Sequence, residues 1–346
     1  MMNPAFAITR YPPSTTPWHF LALSDAELER ADLVAMNLSV ARGIPALKDL
    51  DVRRYCKQVD DWTQQFAQTL PSAEARFRQT PERWKNDIRF FRIGMLQGFL
   101  GHEIGIRYNE EQKVAQEVSY TNPGDLFLHG LIDTKNGTCG NMPTLHVAMS
   151  RRLGWPVSLA CAKSHFMSRF DDGEVIYNIE ATSMRVGSFC AEADEFYIEK
   201  DGLPKRAIAC GSDLRKLTAR EMMGAFFSLR ARHHRDCNRS NVAEVDYCLA
   251  RVLFPEHRAT YREAVVPMFK RGLELFEPNE LGHPRSFGLA INEAHEIFIR
   301  ERALAAQTKT GELETMPPTQ TRSPEISTMN VPMIPSSQAR EQMPCT

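Results

Sequence analysis

The sequence predicts an α+β fold, in which a helix packs on an antiparallel sheet between a helical N-terminal part and an all-α C-terminal module. Three observations predict it. Helical periodicity dominates the first third of the chain, a helix followed by three strands occupies the middle, and helical periodicity returns after Gly187. A helix followed by consecutive strands is typical of an α+β core.

The composition is that of a globular protein with a sizeable core. The chain has 346 residues, of which 42% are hydrophobic and 25% charged, and its formal net charge is -1. So small a net charge provides no overall field for nucleic acid or an anionic membrane, and neither is expected as a partner. No stretch approaches the ~20 apolar residues of a membrane span, and prolines interrupt the segment where a secretory signal peptide needs an apolar run. We therefore expect a cytoplasmic protein.

Eight cysteines are scattered along the chain without a CxxC pair. This spacing argues against a disulfide framework or a zinc ribbon, so most of them are expected to be reduced and to pack as small core residues. The residue types would allow a metal site of Cys139, Cys161 and His165, but their spacing is not diagnostic of one. No metal and no cofactor is predicted.

The first third of the chain is predicted to be mostly helical. Residues 1–20 read as a flexible lead. Ser24 and Glu27 form a capping-box signature at the start of a helix that stops near Gly43. Further helical stretches are predicted over residues 51–70, 74–78 and 86–105.

The middle of the chain changes character. A helical stretch at 125–132 leads to a turn-forming loop, after which Cys139 is predicted to open a helix that ends at Gly154 and Pro156. Residues 157–161, 165–170 and 174–180 read as strands, and Asp172-Gly173 joins the last two.

The last part is predicted to be helical and then disordered. Helices are expected near residues 218–235, 242–253, 259–276 and 287–305, and the segment 242–276 resembles one tetratricopeptide-like hairpin. Residues 306–346 are rich in Thr, Pro, Met, Ser and Gln, which is typical of a disordered tail. The predicted organisation is a lead (1–20), an α+β domain (21–205), a helical module (206–305) and a tail (306–346).

Cys139 is the candidate nucleophile. The first turn of a helix stabilises a thiolate through its unpaired N–H groups and its dipole, and the turn-forming residues before Cys139 place it there. The alternative is a small residue at a tight junction between loop and helix.

The predicted hairpin supplies a base and a carboxylate. A two-residue turn at Asp172-Gly173 sets Asp171 opposite Glu174, and the same register sets His165 opposite Glu180, with Cβ atoms about 5 Å apart. Such a carboxylate can accept a hydrogen bond from the imidazole. The alternation agrees with this register, because it separates an apolar face (Phe166, Phe170, Val175, Tyr177, Ile179) from a polar one (His165, Arg169, Glu174, Asn178, Glu180). The alternative is an incidental pair on a solvent-facing surface.

Other residues compete for these roles. His146 lies two helical turns, roughly 10 Å, beyond Cys139, which is too far for a hydrogen bond. Spacing does not exclude His129, although it lacks an evident orienting partner. Asn178 is the alternative to Glu180 as the residue that orients His165.

Four segments together resemble the core of the transglutaminase-like superfamily: Gly137-Thr138-Cys139-Gly140-Asn141, Arg152-Leu153-Gly154-Trp155-Pro156-Val157, Ser164-His165-Phe166 and Asn178-Ile179-Glu180-Ala181-Thr182. The resemblance covers about residues 25–182, and a weaker one over 217–276 is to bacterial members with a tetratricopeptide-like C-terminal part. It implies a papain-like core with a catalytic triad of Cys139, His165 and Glu180. Asp is usual in the family where Glu180 stands.

The chemistry implied is cysteine-dependent acyl transfer, either protease-like hydrolysis or transfer to an amine, on a protein or peptide substrate. The backbone N–H of Cys139 is the expected first oxyanion donor, and Asn136 and Asn141 are both candidates for the second. No acidic calcium-binding loop is recognisable, so calcium activation is not expected. The alternative is a scaffold with little or no turnover that binds a protein partner through its C-terminal helices.

Overall fold

The computed structural model describes residues 15–114, 119–162, 165–183, 191–203, 205–209 and 211–257. Over these residues the protein combines helices with an antiparallel sheet, so the predicted α+β class is confirmed. The helices predicted at 259–276 and 287–305 and the predicted tail lie outside the described residues. In the described ranges, no helix has both the length and the apolar character required to span a membrane.

Twelve α-helices and six strands are assigned within the described residues. The helices are α1 (Pro17–Leu21), α2 (Asp25–Glu29), α3 (Leu33–Ala41), α4 (Val52–Phe77), α5 (Ile88–Gly98), α6 (Glu110–Val114), α7 (Leu128–Thr134), α8 (Met142–Arg152), α9 (Asp194–Asp201), α10 (Lys205–Ala209), α11 (Ala219–Asp236) and α12 (Ser240–Leu253). The strands are β1 (Arg107–Tyr108), β2 (Asn136–Gly137), β3 (Val157–Ala162), β4 (His165–Asp171), β5 (Ile176–Ile179) and β6 (Ala191–Glu192).

The N-terminal helices differ from the prediction in where they break. The capping box of Ser24 and Glu27 is present, but the predicted helix divides into α2 and α3 because the Asp32 carboxylate accepts a hydrogen bond from Val34 N at 2.9 Å and caps a new helix. The two helices predicted at 51–70 and 74–78 form one, α4. Its last turns pack on α5, where the Phe77 and Phe91 ring centroids lie 5.1 Å apart.

The end of the predicted flexible lead is also ordered. Residues 17–21 form α1, in which Phe20 is fully buried. The chain therefore joins the core earlier than the sequence indicates, because one aromatic side chain among the N-terminal prolines packs inside.

The main sheet has four antiparallel strands in the order β3-β4-β5-β6, and α8 packs against it. The Ser168 hydroxyl on β4 donates to the carbonyl of Pro143 at 3.2 Å, which fixes the sheet against the start of α8. A separate parallel pair joins β1 to β2, with Arg107 opposite Asn136.

The predicted two-residue turn between β4 and β5 is wrong. Asp171 lies opposite Ile176 rather than Glu174, which leaves a loop of residues 172–175. Gly173 adopts a positive φ of 88°, and the Asp172 carboxylate accepts hydrogen bonds from the N–H groups of Glu174 and Val175 at 3.0 Å each. These bonds close a wider loop than a primed turn.

The new register shifts the pairing by two residues, so it preserves the faces of both strands. Arg169 now pairs with Asn178 instead of Ile176, and Phe170 with Tyr177 instead of Val175. The polar face is not a solvent-facing surface, however. A second apolar cluster that includes Met167, Tyr197, Leu203 and Leu214 covers it.

Within the described residues, the core extends across the predicted boundary at 205/206 into α11. Apolar side chains of α11, among them Met222 and Phe226, belong to the same core cluster as those of α3. The guanidinium of Arg230 donates to the carbonyl of Val40 at 2.7 Å and pairs with Asp246 of α12. The predicted boundary at 205/206 is therefore not a break in the core. The described helix that packs on α12 is α11, whereas the predicted hairpin partner at 259–276 lies outside the described residues.

Candidate active site

Cys139 lies in the turn that leads into α8. The regular helix begins at Met142, three residues later than predicted. Helical hydrogen bonding nevertheless starts earlier, because the Thr138 carbonyl accepts bonds from Asn141 N at 3.2 Å and Met142 N at 3.0 Å. The Thr138 hydroxyl accepts from Gly140 N at 3.0 Å, which is the bond an N-cap residue makes. Cys139 therefore lies in a hydrogen-bonded turn directly before the Asn141 N-cap of α8.

Side-chain hydrogen bonds hold this turn in place. Thr138 donates from its hydroxyl to the carbonyl of Asp125 at 2.6 Å, and its N–H donates to the Asn141 side-chain oxygen at 2.9 Å. The Asn141 amide donates in turn to the carbonyls of Gly124 at 2.9 Å and Phe127 at 3.2 Å. The backbone around Cys139 is thus tied to the segment before α7.

These hydrogen bonds show which side-chain amides are already used within the loop and which could donate to an oxyanion. The amide nitrogen of Asn141 is committed to two carbonyls, and that of Asn136 donates to the Thr134 carbonyl at 3.1 Å. The Asn136 side-chain oxygen also accepts from Arg107 at 2.8 Å. Both N–H groups of the Asn141 amide are therefore used within the loop, whereas Asn136 uses one of its two.

His165 and Glu180 form a close pair, although the strand register is not the predicted one. Nε2 of His165 lies 2.8 Å from Oε2 and 3.0 Å from Oε1 of Glu180. The two side chains are 18% and 14% exposed, so the pair is shielded but reachable from solvent. The predicted partnership of these residues is confirmed as a contact.

Two residues that the sequence analysis did not single out hold Glu180. Thr182 donates to Oε1 from its hydroxyl at 2.5 Å and from its N–H at 3.2 Å. The amide of Gln97 in α5 donates to the Glu180 backbone carbonyl at 3.2 Å. Thr182 had a local signal, since a hydroxyl residue two positions after a carboxylate favours a turn. Gln97 had none, because it lies 83 residues away.

The electrostatics of the pair favour its charged form. Burial alone would lower the pKa of His165, but the charge of Glu180 and hydrogen bonds to Cys139 and Glu180 outweigh it and raise that pKa to about 10. Burial would raise the pKa of Glu180, but the charge of His165 and hydrogen bonds from His165 and Thr182 lower it to about 2. At neutral pH the pair is an imidazolium and a carboxylate.

Cys139 interacts with the same imidazole. It is half-buried, and its hydrogen bond and charge both contribute to the raised pKa of His165. Nε2 of His165 faces Glu180, and Nδ1 forms no hydrogen bond with another described residue. Nδ1 is therefore the nitrogen that remains for the thiol.

The competing histidines are poor bases. His146 is fully buried, and burial lowers its pKa to about 4. His129 is 8% exposed, and burial lowers its pKa although Asp133 opposes the shift. Both are disfavoured as imidazolium ions at neutral pH, in contrast to His165.

Asn178 does not orient His165, and Cys161 is a buried thiol. The Asn178 side chain accepts from Arg169 at 2.6 Å and donates to Asp194 at 2.7 Å, so it belongs to a buried network rather than to His165. Cys161 is buried, and burial raises the pKa of its thiol well above the usual value. Within the described ranges, no group of three or more His, Cys, Asp or Glu side chains is placed to hold a metal ion.

The end of the described chain packs beside His165. The ring of His257 stacks on Phe166 at 5.6 Å and on Phe254 at 5.0 Å between centroids. Burial and the charge of Arg232 lower the pKa of His257 to about 3, so it is a neutral packing residue. It fixes the strand that carries His165 against the C-terminal part of the fold.

The candidate site therefore consists of a half-buried thiol in the turn before α8, an imidazole whose charged form is favoured, and a carboxylate, arranged in that order. Compared with known proteins, the chain matches no protein-family model, no curated protein and no solved structure.

Proposed function

We propose that this chain is a cysteine-dependent enzyme of the transglutaminase-like type, which transfers or hydrolyses the acyl group of an amide or peptide. The observation that carries the proposal is the charged pair of His165 and Glu180 beside Cys139. An imidazolium next to a thiol at a helix start stabilises the thiolate, which is the nucleophilic form.

The reaction proposed has two halves. In the first, the Cys139 thiolate attacks the carbonyl carbon of the substrate amide, and the negative charge moves to the carbonyl oxygen. The C–N bond then breaks as His165 gives its proton to the leaving amine, which leaves a thioester on Cys139. In the second, water or an amine loses a proton to His165 and attacks the thioester carbonyl; the C–S bond breaks, which releases a carboxylic acid or a new amide and restores the Cys139 thiolate beside the imidazolium.

Each group has a defined part in this scheme. The backbone N–H of Cys139 is the proposed first oxyanion donor, since it lies in the turn that leads into the N-terminus of α8. Glu180 keeps the imidazole oriented and stabilises its charge. Hydrolysis and transfer to an amine differ only in the acceptor. The protein or peptide substrate, the papain-like core and the cytoplasmic location expected from the sequence remain predictions.

Alkylation by iodoacetamide at pH 7, followed residue by residue with mass spectrometry, tests the proposal. Cys237 is a matched internal control, because it is also half-buried and has a histidine neighbour, His233, 3.9 Å from its sulfur. Cys139 is expected to react at least tenfold faster than Cys237, and His165→Ala should abolish the difference. Equal rates for the two thiols in the wild type would rule out an activated Cys139.

Turnover is tested with a library of peptides and amides, with Cys139→Ala as the inactive control. Product release should be lost in this variant and reduced on the order of 10²–10⁴-fold in His165→Ala. Adding a primary amine distinguishes the two acceptors, since a new amide that contains the added amine appears only if transfer competes with hydrolysis.

The alternative proposal is a scaffold that keeps the site but turns over little. The observation that favours it is an apolar stripe on α12, where Val242, Val245 and Val252 are 47%, 59% and 77% exposed. Exposed apolar patches are typical of surfaces that bind proteins. A fast-labelling Cys139 without turnover in the library would favour this alternative.

A further inference from the structure

The carboxylate of Glu180 is held by two different neighbours. His165 contacts both of its oxygens, and Thr182 contacts Oε1 through its hydroxyl at 2.5 Å and its N–H at 3.2 Å. A carboxylate bound from both sides has little freedom to rotate. The hydroxyl of Thr182 therefore contacts the residue that orients the base.

The position of Glu180 explains why it needs this support. The last paired residue of β5 is Ile179, opposite Ser168, so Glu180 lies beyond the ladder. One further step of the register would set it opposite Met167, diagonal to His165. A glutamate reaches across that diagonal, but its three side-chain torsions must be fixed for the carboxylate to stay on one ring nitrogen.

The backbone of Glu180 is held separately from its side chain. Gln97 is 1% exposed and donates to the Glu180 carbonyl at 3.2 Å. Residues 181–183 then form a single 3₁₀ turn, which brings Thr182 back over the carboxylate. Gln97 thus holds the main chain of Glu180, and Thr182 holds its side chain.

We propose that Thr182 is a positioning residue, whose hydroxyl fixes the Glu180 carboxylate in the geometry that orients His165 toward Cys139. The inference rests on the proposed function of the triad and adds a fourth side chain to it. Glu180, rather than a shorter carboxylate, is the residue that this arrangement requires.

Thr182→Val is the informative change, because valine has the shape of threonine and keeps the backbone N–H but lacks the hydroxyl. Thr182→Ser retains the hydroxyl and should restore wild-type behaviour. Thr63→Val is the matched control, since the buried Thr63 hydroxyl donates only to the Val59 carbonyl at 2.7 Å within α4, away from the site. Circular dichroism and thermal unfolding establish that each variant is folded.

Two readouts are measured on the same samples. NMR titration of the His165 ring gives its pKa, which should fall by about one unit in Thr182→Val and remain unchanged in Thr182→Ser and Thr63→Val. The pH profile of Cys139 alkylation should lose about tenfold in rate near neutral pH in Thr182→Val. A merely structural role would lower the melting temperature without moving either readout.

The outcomes separate this inference from the proposed function. Unchanged His165 titration and an unchanged alkylation profile in folded Thr182→Val would overturn the role of Thr182. If Cys139 is not selectively labelled in the wild type, the proposed function fails, whereas the His165 titration still decides whether Thr182 acts on the pair. If Thr182→Val does not fold, Thr182→Ala is compared with Thr182→Ser by the same two readouts. If Thr182→Ala is also unfolded, the role of the hydroxyl is structural and the inference is overturned.

Discussion

Glu180 Oε2 accepts a hydrogen bond from His165 Nε2 at 2.8 Å across a diagonal of the sheet, not from the directly opposite position. The contact survives the shifted register because a shift of two residues leaves every side chain on its original face. The glutamate side chain is long enough to reach His165 from this diagonal position. The shifted register therefore needs a side chain as long as glutamate at position 180.

Because Glu180 reaches His165 from a diagonal position, we predict that Glu180→Asp is not a conservative change. A side chain one methylene shorter cannot keep both His165 and Thr182, so the pKa of His165 should fall from about 10 toward its usual 6.5 and Cys139 alkylation should slow by at least tenfold. NMR titration and the alkylation rate measure this. Glu174→Asp is the control, since Glu174 is 79% exposed in the hairpin loop. Wild-type rates in Glu180→Asp would contradict the diagonal geometry.

The same pair predicts a pH dependence of stability. The pKa of His165 is raised from 6.5 to about 10, so its contribution is fully present below pH 6.5 and is lost as the pH rises through about 10. The pKa of Glu180 is lowered from 4.5 to about 2, so its contribution is present above pH 4.5 and is lost as the pH falls through about 2. The pair therefore stabilises the fold most between pH 4.5 and 6.5.

Urea unfolding of the wild type and of the double variant His165→Gln/Glu180→Gln checks this window. The difference in unfolding free energy between them should be largest from pH 4.5 to 6.5 and should shrink toward pH 10. A difference that stays constant from pH 5 to pH 10 is incompatible with a charged pair.

His146 predicts a separate loss of stability in acid. It is fully buried, and neither ring nitrogen has a hydrogen-bond partner among the described residues. Its pKa is lowered from 6.5 to about 4, so its contribution is present above pH 6.5 and is lost as the pH falls through about 4. His146→Leu should flatten this part of the acid profile and, at pH 7, gain about 1 kcal/mol by removing unpaired polar atoms.

Chemical denaturation at pH 7 and pH 5 measures the effect of His146→Leu. His257, whose pKa is also lowered, remains in this variant, so a residual acid loss is expected. A loss of 2 kcal/mol or more at pH 7 would instead mean that an ordered water or a polar contact uses the imidazole.

Arg230 predicts that the C-terminal helices unfold together with the rest of the core. Its side chain is 10% exposed and pairs with Asp246, which is 2% exposed, at 2.6 Å. Arg230→Met leaves the Asp246 carboxylate buried without this partner and removes the bond to Val40, so a loss of about 3–5 kcal/mol is expected in a single cooperative transition. Arg235→Met is the control, since Arg235 is 41% exposed. Two unfolding transitions, of which only one shifts in Arg230→Met, would indicate that the C-terminal helices form a separate module.

The sequence by itself determined the local features of the site. The residues before Cys139 predicted a turn that leads into a helix; that turn is closed by bonds of Thr138 with Gly140 and Asn141, although the helix begins three residues later than predicted. The alternation of β4 and β5 determined that His165 and Glu180 share a face. Both features depend on neighbours in sequence or on a two-residue period, which is why they could be predicted.

The tertiary structure decided how far apart those residues stand and what holds them. The loop between β4 and β5 is wider than its Asp-Gly pair indicates, and Arg89 of α5 pairs with both Asp172 and Glu174 across it, at 2.9 and 2.8 Å. Gln97 reaches Glu180 in the same way, from a distant helix. Contacts between residues more than 80 positions apart leave no local pattern, because they depend on how α5 packs against the sheet. The sequence therefore determined which groups could form the site, and the packing of α5, the loop and the 3₁₀ turn determined the geometry in which they meet.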